Sequence, residues 1–472
     1  MIKERIKSCL LGLLIVSSIV LTLNIWISGK LWSDGYNFFS NITNFFDFES
    51  KNKSYYLSKE NISYPQRIIV NNNEQRNLYT HTSTQYNDII PSVLDIFKSS
   101  ISSAEFTVAN PAEWNSSLKG KSAYVSYPII YDSNLLWGIL DIVPVPGLPG
   151  TVKDFIISVS EKNDETLNIY IKDYNTQDIY KANVSFSYGE FTSMIEKYAI
   201  DSINMLPYSF ELNFDKSSDE SVEQKIVLDP TVTLLLEESK LPVIESVNLT
   251  KDVYNDTEMS ENILSSFGYN TTNIRKYLDS NNTAVYVENY SSIKIHENGL
   301  LEYKALDNTK GITLTNSAST SQHDIFIACI EFVNTLWDNA FPNEELNINL
   351  TSDIRANGKN FYITMDYYVD GYQAISNISA NKVHSKLSHS IEITVAEGKI
   401  VEYRQLFNSF RTTNDYFGNG SAINAIDRMF ADNRMENSTI TELTIAYSKN
   451  GNKWYPTWSA KTTGGERIII RR

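Results

Sequence analysis

Two similar stretches of this sequence could be a catalytic signature used twice or a building unit used twice. IKIHENGLLEYK occupies residues 293–304, and ITVAEGKIVEYR occupies residues 393–404. Glu302 and Glu402 hold matching positions, 100 residues apart (402 − 302). General acid–base catalysis by a carboxylate needs a pocket and a second titratable group within reach. Neither stretch supplies a His, Cys or Ser in a recognisable arrangement, so we predict that both glutamates are structural strand residues.

The histidines give no metal or catalytic pattern. They lie at positions 81, 296, 323, 384 and 389. His384 and His389 are five residues apart, which is the wrong spacing for a helical metal pair, and a solvated loop is predicted there. His323 and Asp324 open a predicted helix, where an acidic side chain favours the N-terminus.

Known catalytic and ligand-binding signatures are also missing from the sequence. It contains no GxGxxG, GxxxxGK[ST], GxSxG, SxxK or HExxH pattern, and its acidic residues do not follow a calcium-loop rhythm. The sequence therefore predicts no enzyme activity, no cofactor and no metal.

An aromatic strand near the C-terminus has two interpretations. Trp454, Tyr455 and Trp458 form a candidate aromatic contact surface for a partner, or they pack in the core and at a sheet edge.

The repeated stretches are predicted to be β-hairpins within a larger duplicated unit. Each copy reads as hairpin, helix and second hairpin, with predicted helices in residues 322–341 and 421–433. Glycine-containing turns are expected at Asn298–Gly299, Asp370–Gly371, Glu397–Gly398 and Asn450–Gly451. Two copies of this unit predict two sheets, each covered on one face by a helix.

A single apolar segment precedes the remainder of the chain. Residues 8–29 carry no charge and would span about 33 Å as a helix, enough for a bilayer core. Lys3, Arg5 and Lys7 precede the segment, which places the N-terminus in the cytoplasm and the bulk outside. We predict an uncleaved anchor in the cell membrane; the alternative is a cleaved signal peptide.

One face of this predicted span is partly polar. Ser17, Leu21 and Asn24 fall at helical spacing, which makes them a candidate face for a partner helix. The alternative is that Asn24 reaches the headgroup region and the serine bonds its own backbone.

The net charge argues against nucleic-acid binding, and the two cysteines are not expected to form a disulfide. The formal net charge of −15 argues against a nucleic-acid partner, because phosphate binding needs clustered Lys and Arg. Cys9 and Cys329 cannot pair across a membrane, and each is predicted to be a small buried apolar residue.

These observations predict an α+β chain with a single N-terminal transmembrane helix and three ectodomains, the last two being related helix-on-antiparallel-sheet units. The predicted divisions are a cytoplasmic tail (1–7), a transmembrane helix (8–29), a stalk (30–63), an N-terminal α+β domain (64–238), a central hairpin–helix–hairpin domain (239–380) and a C-terminal repeat of that unit (381–472).

Three features together resemble the YycH family. They are the basic N-terminus with a span ending in LTLNIWISGKLW, the segment PYSFELNFD, and the repeated GxLxEY hairpin with a final WYPTW. The C-terminal part also resembles the partner family YycI. The resemblance implies a membrane-anchored accessory protein of a Gram-positive bacterium. Such a protein would act with a YycI-like single-span protein on the sensor histidine kinase YycG, also called WalK, which governs cell-wall metabolism.

The resemblance favours a non-catalytic regulator that works through transmembrane and extracellular protein contacts, and it leaves the sign of regulation open. Two alternatives remain. One is a surface-tethered, PepSY-like module that binds a wall fragment or an exported peptidase. The other is an exported hydrolase with an unrecognised site.

Overall fold

The computed structural model describes residues 57–470, except 74, 103, 161–164, 186–187, 200–205, 215–225, 273, 289, 315–320, 353, 376–386 and 432–437. The predicted cytoplasmic tail, membrane helix and most of the stalk lie outside the described residues, as do Cys9, Ser17, Leu21, Asn24 and His384. Within the described ranges, every helix is too short or too polar for a bilayer span.

The described residues form seven α-helices, whose apolar faces are buried. In the first helix the buried side chains recur at Ile90, Val93, Phe97 and Ile101, the spacing that places them on one side. The helices are α1 (Tyr86–Ile101), α2 (Pro111–Ser117), α3 (Ser133–Leu140), α4 (Tyr188–Tyr198), α5 (Thr257–Ser266), α6 (Gln322–Ala340) and α7 (Ala422–Phe430).

The strands outnumber the helices, and the predicted α+β class is confirmed. The first seven are β1 (Arg67–Asn72), β2 (Gln75–Thr80), β3 (Thr107–Ala109), β4 (Ser122–Asp132), β5 (Thr151–Val159), β6 (Leu167–Lys172) and β7 (Ile179–Val184). The others are β8 (Ile226–Leu228), β9 (Lys240–Asn248), β10 (Arg275–Leu278), β11 (Ala284–Glu288), β12 (Ser291–Ile295), β13 (Leu300–Ala305), β14 (Ile312–Thr313), β15 (Ile348–Leu350), β16 (Arg355–Asn357), β17 (Asn360–Val369), β18 (Tyr372–Ile375), β19 (Ile391–Ala396), β20 (Lys399–Leu406), β21 (Asn408–Gly418), β22 (Ser438–Asn450), β23 (Lys453–Thr462) and β24 (Arg467–Ile470).

The first sheet is antiparallel, with the order β2-β1-β4-β5-β6-β7-β3. One face packs with α1, α3 and α4 in the main core. The other face buries a smaller aromatic cluster that includes Trp114, Tyr124, Tyr170 and Tyr208. Both faces are therefore covered, which accounts for the nearly continuous burial of β4 and β5.

The middle sheet joins the two copies of the repeat. Its order is β10-β11-β12-β13-β20-β19-β17, and β15 and β16 lie on the other side of β17. The repeated hairpins meet through β13 and β20, where Tyr303 lies opposite Tyr403. Because the pair is antiparallel and the strands are copies, a local two-fold axis passes between these tyrosines.

This pairing corrects the prediction of two separate sheets. A lone hairpin leaves both of its edges unpaired, whereas joining the copies satisfies one edge of each. The cross-strand partners are complementary, since Glu302 lies opposite Arg404 and Lys304 lies opposite Glu402. The predicted division between residues 380 and 381 thus separates strands of one sheet.

The two hairpin turns differ in length: Gly299 and Gly398 are 99 residues apart (398 − 299), whereas the strand residues Glu302 and Glu402 are 100 apart. In the second copy, Glu397 and Gly398 have φ of 52° and 78°, the predicted two-residue turn. In the first copy, Gly299 has φ of +90°, while the His296 carbonyl accepts from the Gly299 N–H. The turn is therefore longer than the predicted Asn298–Gly299 pair. The second copy accommodates its shorter turn with a bulge between Thr394 and Val395.

The C-terminal layer is a third group of strands. Strand β9 lies between β21 and β23, and β23 also pairs with β22 and β24. The short strands β8 and β18 pair in parallel with β22. Helix α7 packs on this layer through Ala422, Ala425, Ile426 and Met429.

A continuous core connects the first sheet to the middle sheet. Residues of α1, α3, α5 and α6 belong to one cluster of buried apolar side chains. At its margin, the Leu57 N–H donates to the Ile348 carbonyl at 2.7 Å. These two sheets are therefore packed together rather than separated by a linker.

Candidate functional site

The carboxylates of the repeat lie in a line of charged side chains across the middle sheet. His296 Nε2 is 2.7 Å from Glu302 Oε2, and Arg404 Nε is 3.4 Å from Glu302 Oε1. Arg404 Nη1 donates to Glu392 Oε2 at 2.8 Å. We call His296, Glu302, Arg404 and Glu392 the polar row. Each copy of the repeat contributes two of its four members.

Strand alternation separates the polar row from the core. Tyr303 and Tyr403 are 3% and 0% exposed. Their rings pack against Phe267, at the end of α5, and Tyr403 also packs against Phe332 of α6. Neighbouring residues on a strand point to opposite faces, so the polar row lies on the face away from these helices.

The polar row places a histidine beside Glu302, an arrangement that the sequence pattern did not reveal. His296 and Glu302 are diagonal neighbours across the β12–β13 hairpin, a separation at which long side chains meet. Thr283 Oγ1 lies 3.3 Å from the opposite ring nitrogen, Nδ1. The three groups are ordered like a hydroxyl–imidazole–carboxylate triad. However, Thr283 is only 2% exposed, so its hydroxyl is closed to a substrate.

A second histidine cluster differs from a catalytic triad in another way. His389 Nδ1 lies 3.1 Å from Thr351 Oγ1 and 3.2 Å from Asp366 Oδ2. A triad needs the hydroxyl and the carboxylate on opposite ring nitrogens, so that a proton can be taken by one while the other orients the ring. Here both groups share Nδ1. Asp366 also accepts from Gln373 and from the Ser390 N–H, which fits a structural role.

His389 also departs from the solvated loop predicted for it, because its ring packs against the 2% exposed Asp366. Among the described residues, no three His, Cys, Asp or Glu side chains gather in a way that could hold a metal ion. Cys329 is fully buried on α6, as predicted, and burial raises the pKa of its thiol.

Burial favours the core interpretation of the aromatic strand over the contact surface. Trp454 and Trp458 are 1% and 3% exposed. Trp454 packs edge-on against Phe410 at 5.3 Å, and Trp458 Nε1 donates to the Gly420 carbonyl at 3.3 Å. Tyr455 is half-buried beside Phe417. The two indoles are core residues because β23 lies inside its sheet, so the aromatic groove expected for a binding module is not formed by them.

His81 lies where the first sheet meets the turn between β17 and β18. Its ring packs edge-on against Tyr86 at 4.9 Å and Tyr368 at 6.5 Å, and Nε2 lies 3.5 Å from Asn349 Nδ2. Burial lowers the pKa of His81 to about 4. The imidazole is therefore neutral at pH 7.

We expect His81 to make the protein less stable in mild acid. Between about pH 6.5 and pH 4 the unfolded chain takes up a proton at this ring and the folded chain does not, so the free energy of unfolding falls as pH falls. The half-buried ring should account for a loss of about 1–3 kcal/mol. Urea unfolding of the protein and of His81→Asn between pH 6.5 and pH 4 measures this loss of stability. Equal pH slopes for the two proteins would contradict the expectation.

This chain resembles a known protein in its fold, at low sequence identity. No sequence-family model and no curated protein matches the chain. Among solved structures, YycH from Bacillus subtilis matches with a TM-score of 0.53 and 12% sequence identity, covering 87% of this chain and 96% of that one. An uncharacterized protein from Eubacterium rectale matches with a TM-score of 0.30 and 9% identity, covering 55% of this chain and 97% of that one.

The match to YycH extends over most of the chain, while the sequences have diverged to 12% identity. At such low sequence identity, structural similarity shows that two proteins share a fold. The chain therefore shares the fold of YycH, and the resemblance that its sequence shows to that family is confirmed at that level.

Proposed function

We propose that this chain is a non-catalytic, membrane-anchored regulator of a sensor histidine kinase that controls cell-wall metabolism. The observation that carries the proposal is the likeness to YycH over 87% of the chain. The order of parts along the sequence, from the basic N-terminus to the final aromatic strand, supports the same function.

The chemistry of the described residues agrees with a regulator. The carboxylates and imidazoles most suited to catalysis are engaged in pairs: Glu302 with His296 and Arg404, and Asp366 with His389. Charge pairs that tie neighbouring strands together stabilise a sheet and supply no free general base.

The proposed partners are a YycI-like single-span protein and a kinase of the YycG (WalK) type. The chain would sit in the cell membrane with its N-terminus in the cytoplasm and its bulk outside. Contact through the span would use the face formed by Ser17, Leu21 and Asn24, since polar side chains in lipid bond neighbouring helices.

Replacing Asn24 tests this mechanism in the native cell. An interhelical hydrogen bond of about 0.6 kcal/mol shifts an equilibrium about threefold, so we expect Asn24→Leu to change the transcription governed by the kinase by about that factor. The direction of the change shows whether the protein restrains or activates the kinase. A promoter fusion to a kinase-controlled wall gene is the measurement.

The matched control is Ile19→Leu, which lies on the opposite side of the predicted helix. It should leave transcription unchanged. If a wholly foreign span in place of residues 8–29 supports normal transcription, the helix contact is not the mechanism. If deletion of the whole chain leaves the kinase output unchanged, the regulatory function itself is excluded.

A further inference from the structure

A cavity of about 210 Å³ lies where the first sheet meets the C-terminal layer. Its walls come from β1, β2, β4 and β5 on one side, and from β22, β23 and the β17–β18 turn on the other. The charged and polar side chains of its lining include Arg67, Lys153, Glu442, Ser126, Thr80 and Thr444. Apolar surface comes from Leu235, Leu443, Ile445 and Trp458. A concave apolar site with a few convergent polar groups is the usual form of a small-molecule site.

The first sheet delivers two cations to this cavity. Arg67 lies opposite Ser126, which lies opposite Asp154, so these three side chains share a face. Pairing between β4 and β5 is irregular after Ser126, where Pro128 has no N–H to give to the ladder. At this irregularity Lys153 also lines the cavity.

Neither cation forms an ion pair with a carboxylate of the described residues, although Glu442 attracts both cations and Asp154 attracts Arg67 from a longer distance. The Lys153 side chain is 7% exposed and forms no hydrogen bond or ion pair with any described residue, although the Glu442 carboxylate attracts its charge. Arg67 donates from Nη2 to the Tyr124 hydroxyl at 3.2 Å and forms no ion pair within the described part of the chain. A buried, unpaired ammonium is costly. The excess of positive charge at this cavity contrasts with the net charge of −15 of the whole chain.

The opposite wall holds a carboxylate that is surrounded by cations, first among them Arg467. Glu442, Lys461 and Arg467 lie in register on β22, β23 and β24. Glu442 Oε1 accepts from Arg467 Nη2 at 3.1 Å and from Thr444 Oγ1 at 3.4 Å. Glu442 Oε2 is buried without a hydrogen-bond partner among the described residues. This oxygen is an acceptor that lacks a donor.

We propose that the cavity binds an N-acylated amino acid with an apolar side chain, either free or as the C-terminus of a peptide. The ligand carboxylate meets Arg67 and Lys153, because a guanidinium fork and an ammonium are the groups that bind carboxylates. The ligand N–H donates to Glu442 Oε2. The apolar side chain packs against Leu235, Leu443 and Trp458. Because the walls belong to two layers of the fold, the bound ligand ties the first sheet to the C-terminal layer.

Calorimetric titration of the full-length protein in mild detergent tests the site with three probes. N-acetyl-L-leucine supplies the carboxylate, the N–H and the apolar side chain. N-acetyl-L-leucinamide lacks the negative charge, and 4-methylpentanoate lacks the N–H. We expect the acid to bind at least about tenfold more tightly than either analogue, since hydrogen bonds to charged groups contribute at that level. Equal binding of acid and amide, or no binding of the acid, overturns the proposal.

Variants locate the binding. Lys153→Met should weaken binding of N-acetyl-L-leucine at least about tenfold, whereas Lys153→Arg, which keeps the charge, should retain most of it. Lys251→Met, at an exposed position, is the matched control and should bind as the parent does. Should Lys153→Met not fold, Arg67→Met makes the same comparison. Unchanged binding in the folded variant overturns the site.

Two further probes define the ligand. Acetyl-Gly-Gly-Leu presents the same terminal group on a longer chain; tighter binding than N-acetyl-L-leucine identifies a peptide C-terminus, and weaker binding identifies the free acylated amino acid. Inorganic phosphate tests the anion class. Phosphate binding tighter than that of the acid overturns the carboxylate assignment.

Discussion

Replacing Glu442 by Gln lowers the free energy of unfolding by about 3–5 kcal/mol, the expected cost of removing one partner from a buried charge pair. Glu442 is 4% exposed and accepts from Arg467, which lies two strands away in the same row. The substitution preserves the shape of the side chain, so the loss comes from the cations that remain buried without their counter-charge.

The pKa of Glu442 indicates how strongly this charge is held. Burial would raise the pKa, but the surrounding cations, first among them Arg467, outweigh burial and hold it well below its ordinary value. A carboxylate with a depressed pKa contributes stability that is present above its unfolded value of about 4.3 and is lost as pH falls toward the folded one. The loss of stability caused by Glu442→Gln should therefore be largest at pH 7 and should become smaller in strong acid.

The matched control is Glu402→Gln. Glu402 pairs with Lys304 at 2.9 Å, but the two side chains are 46% and 72% exposed. An exposed pair contributes about 0–1 kcal/mol, so this variant should be nearly as stable as the parent. Chemical denaturation of the three proteins at pH 7 makes the comparison. Equal losses for the two variants would show that Glu442 is not the buried anchor described here.

Truncating Tyr403 to Ala should cost about 3–5 kcal/mol, as for other large aromatic side chains in cores. Tyr403 is fully buried on the local two-fold axis, and its ring packs edge-on against Phe267 at 5.7 Å and Phe332 at 5.4 Å. The ring therefore holds both helices of the middle sheet onto the junction between the two copies. Its loss leaves a cavity at the centre of that junction.

Two variants separate packing from hydrogen bonding at this position. Tyr403→Phe keeps the ring and removes the hydroxyl that donates to Gln405, so it should cost about 1–2 kcal/mol. Tyr416→Ala removes a tyrosine that is 69% exposed and should change stability by less than about 0.5 kcal/mol. Thermal unfolding of the four proteins provides the measurement, and a Tyr403→Ala variant no less stable than Tyr403→Phe would contradict the packing argument.

The spacing of apolar residues and the residue types at turns predicted the helices and turns correctly. The apolar stripe of α6, which includes Ile325, Cys329 and Leu336, is buried as its spacing indicates. The turn at Asp370–Gly371 has positive φ at both residues, 48° and 80°, as the residue types demand. In each case the cause lies within a few neighbouring residues, so the sequence alone is informative.

Pairings between distant segments were not predictable in the same way. Strands β13 and β20 are alike, so alternation is equally consistent with two sheets and with one shared sheet, and the shared sheet is what forms. Burial of Trp454 likewise depends on β9, which pairs with its strand from a distant part of the sequence. Lys153 reaches its cavity through an irregular pairing that only Pro128 hints at.

The pairing of β13 with β20 has a consequence for the order of events during synthesis. Residues 300–305 leave the ribosome roughly one hundred residues before residues 399–406, which is about 5–20 s at ordinary translation rates. Throughout that interval the first hairpin exposes a strand edge whose backbone N–H and C=O groups are unpaired. The nascent chain must therefore be shielded from self-association until its second half arrives, and a ribosome stalled within this stretch would release a fragment prone to aggregate.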